Sequence, residues 1–314
     1  MREKTSCVIG AILSLCLLVI CLRYVAYLWP LTFVQSLQIH IGLAVMVGAA
    51  LCYALSRGPY PVVLMAAALL VALHGLFMQW QVLPDATGPA MAAGRTVRIL
   101  HFNILGNNRE NGDRIAETIL ASGADIAFIM EAEPLEPFLD RLSAAYPYRI
   151  GCGVGTDTCD LLLLSRRPIV KPVVGALSDL RRDRFAMADI DIDGRIVHFA
   201  AAHLTKPYFD DYHGGELEIL KEIIGYAGGP FVLAGDFNAS AIAPDMQDFL
   251  DVSGMTTTGW EPATWPIAAG PLGIAIDHIF VSKTLVPVSL QRLKDNLGSN
   301  HYGLIAEILI PPAA

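Results

Sequence analysis

The sequence predicts an α/β fold: a four-layer α/β sandwich with two mixed β-sheets, preceded by three transmembrane helices. Three observations predict it. Before Arg95 the only charged residues are Arg2, Glu3, Lys4, Arg23, Arg57 and Asp85, although the whole chain is 17% charged and 54% apolar. That segment holds three apolar stretches, each near the roughly 20 residues a helix needs to cross a hydrocarbon core. Beyond it, short β-rich runs outnumber helical ones and several neighbours pair as hairpins, the pattern of two packed sheets with helices outside.

The first apolar stretch runs from about Cys7 to Leu28 and contains one charge, Arg23. The second runs from about Phe33 to Leu55 and the third from about Tyr60 to Leu83, both without Asp, Glu, Lys or Arg. Trp29-Pro30 and Arg57-Gly58-Pro59 punctuate them, and Trp29, Tyr60 and Trp80 suit interfacial anchoring. A cleaved signal peptide would account for the first stretch only, and no small-residue cleavage site follows it. Arg2 and Lys4 before the first helix, and Arg57 between the second and third, place those ends in the cytoplasm. Arg23 near the outer end works against this signal. Three crossings then put residues from about Asp85 onward outside, in a multi-pass protein of the cell (inner) membrane with an extracytoplasmic C-terminal domain. His40 and His74 each stand alone within these helices and are read as packing or interfacial residues. Residues 1–84 form the three-helix region, 85–95 a linker rich in Ala, Gly and Pro, and 96–314 the soluble domain.

In that domain Val97 to Asn103 is a β-rich run ending on a polar residue. Asn111 to Ser122 has helical spacing, with Ile115, Ile119 and Leu120 on one face. Asp125 to Glu131 is a second buried strand, and Glu136 to Tyr146 reads as a helix. Asp160 to Ser165 is a strand closed by Arg166-Arg167-Pro168. Phe185 to Asp193 and Ile196 to His203 form a hairpin about Gly194. A helix over Glu216 to Tyr226 leads to the strand Phe231 to Asp236. A helix over Pro244 to Ser253 follows, then strands over Ala275 to Ser282 and Tyr302 to Ile310.

Charge narrows the function. Of the 22 Lys+Arg and 30 Asp+Glu, four and two precede Arg95; the remaining 18 and 28 give the domain a net −10. That balance lacks the basic footprint of a general nucleic-acid binder. Four cysteines lie in the apolar helices, where a thiol is a small apolar group. Cys152 and Cys159 alone remain, a pair that an oxidising compartment would allow to form a disulfide; their spacing does not make a closed zinc site.

Polar residues recur where apolar strands end: Asn103, Glu131, His203, Asp236 with Asn238, Asp277 and His301. Singly, each is ordinarily a turn, cap or hydrogen-bonded structural residue. As an ordered series they resemble the endonuclease/exonuclease/phosphatase superfamily, which includes deoxyribonuclease I, abasic-site endonucleases, neutral sphingomyelinases and inositol polyphosphate 5-phosphatases. The matching blocks are His101-Phe102-Asn103, Met130-Glu131-Ala132-Glu133, Leu164-Ser165-Arg166-Arg167-Pro168-Ile169, Ala202-His203-Leu204, Gly235-Asp236-Phe237-Asn238, Ile276-Asp277-His278-Ile279-Phe280 and Ser299-Asn300-His301. Thr264-Trp265-Pro266 and the three preceding helices resemble a bacterial membrane-anchored branch, of which VanJ-type glycopeptide-resistance proteins are representative.

The resemblance implies a metal-dependent phosphoric ester hydrolase using in-line attack by water, with Mg²⁺ as the default ion and Mn²⁺ as its substitute. It implies that Glu131 is the principal metal ligand, assisted by Asn103. Asp236 would orient or deprotonate the water, and Asn238 would donate to a non-bridging oxygen. His301, paired with Asp277, would face the phosphorus; His203 would stabilise the phosphoryl group or protonate the leaving group. The family usually has Asp where this chain has Asn300, which keeps a carbonyl ligand but loses a negative charge. His101, His198, His213 and His278 read as structural or solvent-exposed. Arg181-Arg182-Asp183-Arg184 reads equally as a site for a second phosphate or anionic headgroups and as a solvated basic loop. The tether, the acidic balance, and Tyr208-Phe209 and Trp260 in rim loops favour a lipid-linked phosphate ester, phosphodiester or pyrophosphate. An extracytoplasmic nuclease acting on nucleic acid is the second reading and a binding module on the same fold the third; no protein partner is implied.

Overall fold

A computed structural model of the protein describes residues 2–84 and 94–312, so most of the expected linker, 85–93, lies outside the described residues. The elements are α1 (Arg2–Cys21), α2 (Thr32–Ser36), α3 (Gln38–Ser56), α4 (Pro59–Gln81), β1 (Arg95–Asn103), α5 (Gly112–Ala121), β2 (Ile126–Met130), α6 (Leu139–Ser143), β3 (Tyr148–Gly151), β4 (Leu161–Ser165), β5 (Ile169–Gly175), β6 (Phe185–Ile192), β7 (Arg195–His203), α7 (Tyr212–Ala227), β8 (Phe231–Asp236), α8 (Pro244–Ser253), β9 (Met255–Thr257), β10 (Asp277–Ser282), β11 (Val286–Arg292) and β12 (Leu304–Ile310). They divide between two compact units. One contains Met1–Gln81 with the segments Pro207–Asp211 and Ala239–Gln247. The other contains Val82–Lys206, Tyr212–Asn238 and Asp248–Ala314. Two short segments of the C-terminal part therefore group with the helices, which a single break near residue 84 does not capture.

In the first unit, α1, α3 and α4 pack through Leu17, Ile20, Val45, Ala49, Leu64, Ala68 and Val71. Three helical segments, Arg2–Tyr24, Gln38–Ser56 and Pro59–Gln81, are long and apolar enough to cross a membrane. Ile12, Leu15, Val47, Leu51, Val63, Leu70 and Leu73 are exposed along them, an apolar surface far larger than water-soluble monomers present. The second span starts later than the apolar run predicts, because Leu37 separates α2 from α3. Gln38 is hydrogen-bonded at this junction, while the buried Gln35 amide has no partner among the described residues. Arg23 Nη1 donates to Gln38 Oε1 at 2.8 Å, and Gln38 Nε2 donates to Val71 O at 3.0 Å. Within the same unit Ser240 donates twice to Ser36, from its N–H to Oγ at 3.1 Å and from its Oγ to the carbonyl at 3.2 Å.

The second unit is built on two six-stranded mixed sheets, ordered β11-β12-β1-β2-β4-β3 and β5-β6-β7-β8-β10-β9. Each has one parallel pair, β1 with β2 and β7 with β8, among antiparallel neighbours. Alternate residues of both sheets point inward and make the main core, among them Ile99, Phe128, Leu163, Ala188, Phe199, Val232, Ile279 and Ala306. The outer face of the first sheet packs on α5 and α6 through Leu100, Ile115, Ile119, Ile129, Leu135 and Leu142. On the second sheet, Phe237, Phe249 and Phe280 form a ring cluster. The helix expected over Glu136 to Tyr146 is the end of a 3₁₀ segment, Glu133–Phe138, followed by the short α6. Pro137 removes a helical N–H in its middle. Close approach of β7 and β8 requires Gly235, since a Cβ there would collide with the Ala202 carbonyl.

Candidate active site

Every polar side chain of the cluster lies at one end of the two sheets. Asn103, Glu131, His203 and Asp236 finish or follow the parallel strands β1, β2, β7 and β8. Asp160, Arg184, Asp277 and His301 begin or precede the antiparallel strands β4, β6, β10 and β12. An antiparallel strand starts where its neighbour stops, so both sets meet. The register shows this directly: Asp277 is paired with Asp236, and Met130 with Leu161.

At the centre is the buried carboxylate of Asp236. Its Oδ1 accepts the Asn238 N–H at 2.9 Å, and its Oδ2 accepts from Asn103 Nδ2 at 2.9 Å. Two imidazoles approach Oδ2, His203 Nε2 at 3.9 Å and His301 Nε2 at 3.8 Å. Both distances exceed a hydrogen bond. The other nitrogen of each ring is committed: His301 Nδ1 donates to Asp277 Oδ2 at 2.8 Å, and His203 Nδ1 donates to Asp160 Oδ2 at 2.9 Å. The result is two Asp–His pairs with their Nε2 atoms turned toward one carboxylate oxygen.

Asp277 is fully buried and also accepts from His101 Nε2 at 3.0 Å, while Thr264 Oγ1 accepts its backbone N–H. Burial opposes its ionisation, but His301 and His101 outweigh burial and hold its carboxyl well below the usual carboxylate range. Burial likewise opposes charging of His301, but Asp277 first, then Asp236, raise it to about 9. Asp160 behaves like Asp277. Burial raises it, yet His203 and Arg184, whose Nη2 donates to Asp160 Oδ1 at 3.1 Å, bring it below the ordinary value.

Glu131 stands beside this centre. Its Oε1 accepts from Asn103 Nδ2 at 3.3 Å and its Oε2 from the Gly106 N–H at 2.8 Å. A side chain at Gly106 would press on Glu133. Glu131 and Asn238 both hold left-handed backbone conformations, φ 53° each, a strained state for Glu that clusters at functional positions. Glu133 is pushed up by burial and by the carboxylates of Asp160, Glu131 and Glu136. Asn238 Nδ2 donates to Leu204 O at 2.9 Å, which leaves its second amide hydrogen. Ser299 anchors the last turn, donating to Asn103 O at 2.7 Å and accepting the His301 N–H at 3.0 Å. Asn300, between them, is exposed and takes no part in the network.

The structure thus brings together Asn103, Glu131, His203, Asp236, Asn238, Asp277 and His301, and leaves Asn300 at the edge. Reading strand ends alone missed Asp160, Arg184 and His101. The first two begin strands rather than end them; His101 lies inside one, with its side chain toward Asp277.

Two clusters could take a cation. Asp236, Asp277 and His301 place ligand atoms within 4.8 Å of one another. His301 is held charged by Asp277, so a cation there would have to displace its proton and break the Asp–His pair. Glu131 and Asp236 are bridged by the amide of Asn103, and each of their oxygens, accepting one hydrogen bond, keeps a second lone pair. An all-oxygen set of this kind fits a hard divalent ion.

The family model described as Endonuclease/Exonuclease/phosphatase family matches residues 100–301. No curated protein matches the chain in sequence. Among solved structures, a humanized D. rerio TDP2 is 17% identical, with TM-score 0.56 over 68% of this chain and 98% of that one. An endonuclease/exonuclease/phosphatase from Bacteroides vulgatus is also 17% identical, with TM-score 0.57 over 68% and 98%. The beta toxin of Staphylococcus aureus is 17% identical, with TM-score 0.51 over 67% and 99%. At these identities the likeness is one of fold.

Proposed function

Because this chain belongs to the endonuclease/exonuclease/phosphatase family, we propose that it is a membrane-anchored, metal-dependent phosphoesterase acting on a lipid-linked phosphate ester, phosphodiester or pyrophosphate. The observation that carries the chemistry is the convergence of two Asp–His pairs on Asp236 Oδ2. Glu131 and Asp236 would hold Mg²⁺ or Mn²⁺, which supplies charge neutralisation at the phosphoryl oxygens, and Asn103 would assist by holding the two carboxylates with its amide N–H groups. Asn300 has no counterpart charge to add, so the ion rests mainly on Glu131.

Asp236 orients the attacking water and takes its proton; its carboxylate is buried, accepts from Asn103 and Asn238 and is open toward the imidazoles. His301, held charged by Asp277, donates from Nε2 to a non-bridging oxygen. The spare Asn238 amide hydrogen serves the same end. His203, fixed by Asp160, donates from Nε2 to the leaving oxygen on the opposite side. The gaps of 3.8 and 3.9 Å to Asp236 leave both Nε2 atoms uncommitted to that carboxylate and able to donate to phosphoryl oxygens that arrive alongside it. Attack and departure are then in line, without a covalent enzyme intermediate.

The three apolar helices support a membrane substrate, as does the domain's acidic balance. Arg2, Lys4 and Arg57 support a cytoplasmic side for those ends and an extracytoplasmic catalytic domain in the cell membrane. The Cys152–Cys159 disulfide supports the same side, since such bonds persist in oxidising compartments. A nuclease reading draws on D. rerio TDP2, also solved with a single strand DNA product. The deciding experiment is a turnover screen of full-length protein in detergent with Mg²⁺ over polyprenyl and phospholipid phosphates, plasmid DNA and a generic phosphodiester. Release of phosphate or headgroup from lipid is expected. Cleavage of DNA with no lipid turnover would overturn the substrate reading.

A further inference from the structure

The segment Asp179–Arg184 sets three arginines among two aspartates of the acidic second unit, and its residues divide by role. Arg184 is turned inward, 11% exposed, with Nη2 on Asp160 Oδ1 at 3.1 Å. Its carbonyl accepts the His203 N–H at 2.9 Å, extending the β6–β7 pairing to the catalytic histidine. Asp183, in a left-handed conformation (φ 55°), is turned sideways. Its Oδ2 accepts from Asp157 N at 3.0 Å, Thr158 N at 3.1 Å and Thr158 Oγ1 at 3.2 Å. Those donors lie in the loop closed by Cys152 and Cys159, directly before Asp160.

Arg181 and Arg182 remain. Both are exposed and neither is in an ion pair among the described residues. Asp179 is the one carboxylate of the segment left exposed and unpaired. A solvated basic loop would not need this anchoring, in which the carboxylate between Arg182 and Arg184 is held by three hydrogen bonds. The anchoring turns that carboxylate away from pairing with Arg181 or Arg182 and fixes the backbone from which the two arginines project. Chain length alone keeps Arg182 within about 7 Å of Arg184, Cα to Cα. Guanidinium groups bind phosphoryl oxygens in bidentate fashion and remain charged at any working pH.

We propose that Arg181 and Arg182 form a second anion-binding position beside the catalytic cluster, taking a phosphoryl group other than the one hydrolysed. The proposal rests on the phosphoesterase reading and narrows its substrate class to molecules with a second anionic group near the scissile phosphorus, such as a diphosphate. The same chemistry would accept the phosphate of a neighbouring lipid headgroup.

Calorimetric titration of full-length protein in neutral detergent, without added metal, separates these outcomes. The probes are methylphosphonate and methylenediphosphonate, whose P–C–P bridge is not hydrolysed. Wild type is expected to bind the diphosphonate about tenfold more tightly, the worth of one added charge-assisted contact. Arg181→Ala with Arg182→Ala is expected to abolish the advantage, and Arg181→Lys with Arg182→Lys to retain part of it, all with unchanged melting temperature. Repeating the titration with phosphatidylglycerol in the micelles tests the source: weaker diphosphonate binding in wild type only means that headgroups also occupy the pair. Equal affinity of wild type for both phosphonates, or a double Ala variant that keeps the wild-type ratio, would overturn the second position. Binding is read without turnover, so discrimination by an inactive protein would leave this position standing while the phosphoesterase reading fell.

Discussion

Asp277→Asn is nearly isosteric and reaches the reaction through His301 alone. Asp277 accepts from two imidazoles, His301 at 2.8 Å and His101 at 3.0 Å. An Asn offers one acceptor and one NH₂, so one ring would face a donor instead of an acceptor. Raising His301 from 6.5 to about 9 corresponds to about 3 kcal/mol of preference for its charged form, at about 1.36 kcal/mol per tenfold in proton affinity. Most of that preference is expected to go with the Asp277 charge. For a unit of this size it appears as a fall in Tm of roughly 6–12 °C. The sign fixes the pH window. A raised His contributes stability that is fully present below its unfolded value and is lost as pH rises through its folded one. Asp277, held low, contributes above the ordinary carboxylate range and loses its share as pH falls. The Tm gap between wild type and variant is therefore widest from about pH 4 to 6.5 and closes as pH passes 9. In parallel, the alkaline limb of kcat/KM is expected to move from near 9 toward neutrality, read with whichever substrate the turnover screen identifies. A variant with the wild-type alkaline limb and kcat within tenfold of wild type would refute the role given to the Asp277–His301 pair.

Asp236→Ala is expected to lower kcat by about 10³-fold or more, within the range for a lost general base; near wild-type turnover with an unchanged melting temperature would remove Asp236 from the reaction. EDTA is expected to abolish hydrolysis and Mg²⁺ or Mn²⁺ to restore it, and Glu131→Gln to raise the half-activating Mg²⁺ concentration about 10- to 100-fold; metal titrations of the two proteins that overlay would move the ion elsewhere. Cys152→Ser with Cys159→Ser is expected to cost roughly 2 kcal/mol, and to lower kcat more than it raises KM because Cys159 precedes Asp160; kinetics identical to wild type would confine the disulfide to stability.

What the sequence showed and what it hid follow one physical distinction. The strands legible from it are the interior ones, β1, β2, β4, β6, β7, β8, β10 and β12, which are buried either in continuous runs or, as in β12, at alternate residues. Those it did not show, β3, β5, β9 and β11, are the four sheet edges. Edge strands have one unpaired side and tolerate what interior strands exclude: Pro172 and an exposed Lys171 in β5, Pro287 in β11, only three residues in β9. The site divides in the same manner. Asn103, Glu131, His203 and Asp236 stand where buried runs stop, a visible change of polarity. Asp160 and Arg184 stand where antiparallel strands start, and a start adjoins an end only once the pairing is known. Met130 opposite Leu161 places Asp160 beside Glu131, and the Arg184 carbonyl on the His203 N–H places Arg184 beside His203. Pairing is a tertiary fact, so the carboxylate that orients each histidine was visible only where it happened to sit in a motif. Asp277 did, next to His278, Ile279 and Phe280. Asp160 did not, and its only local mark is the cysteine before it.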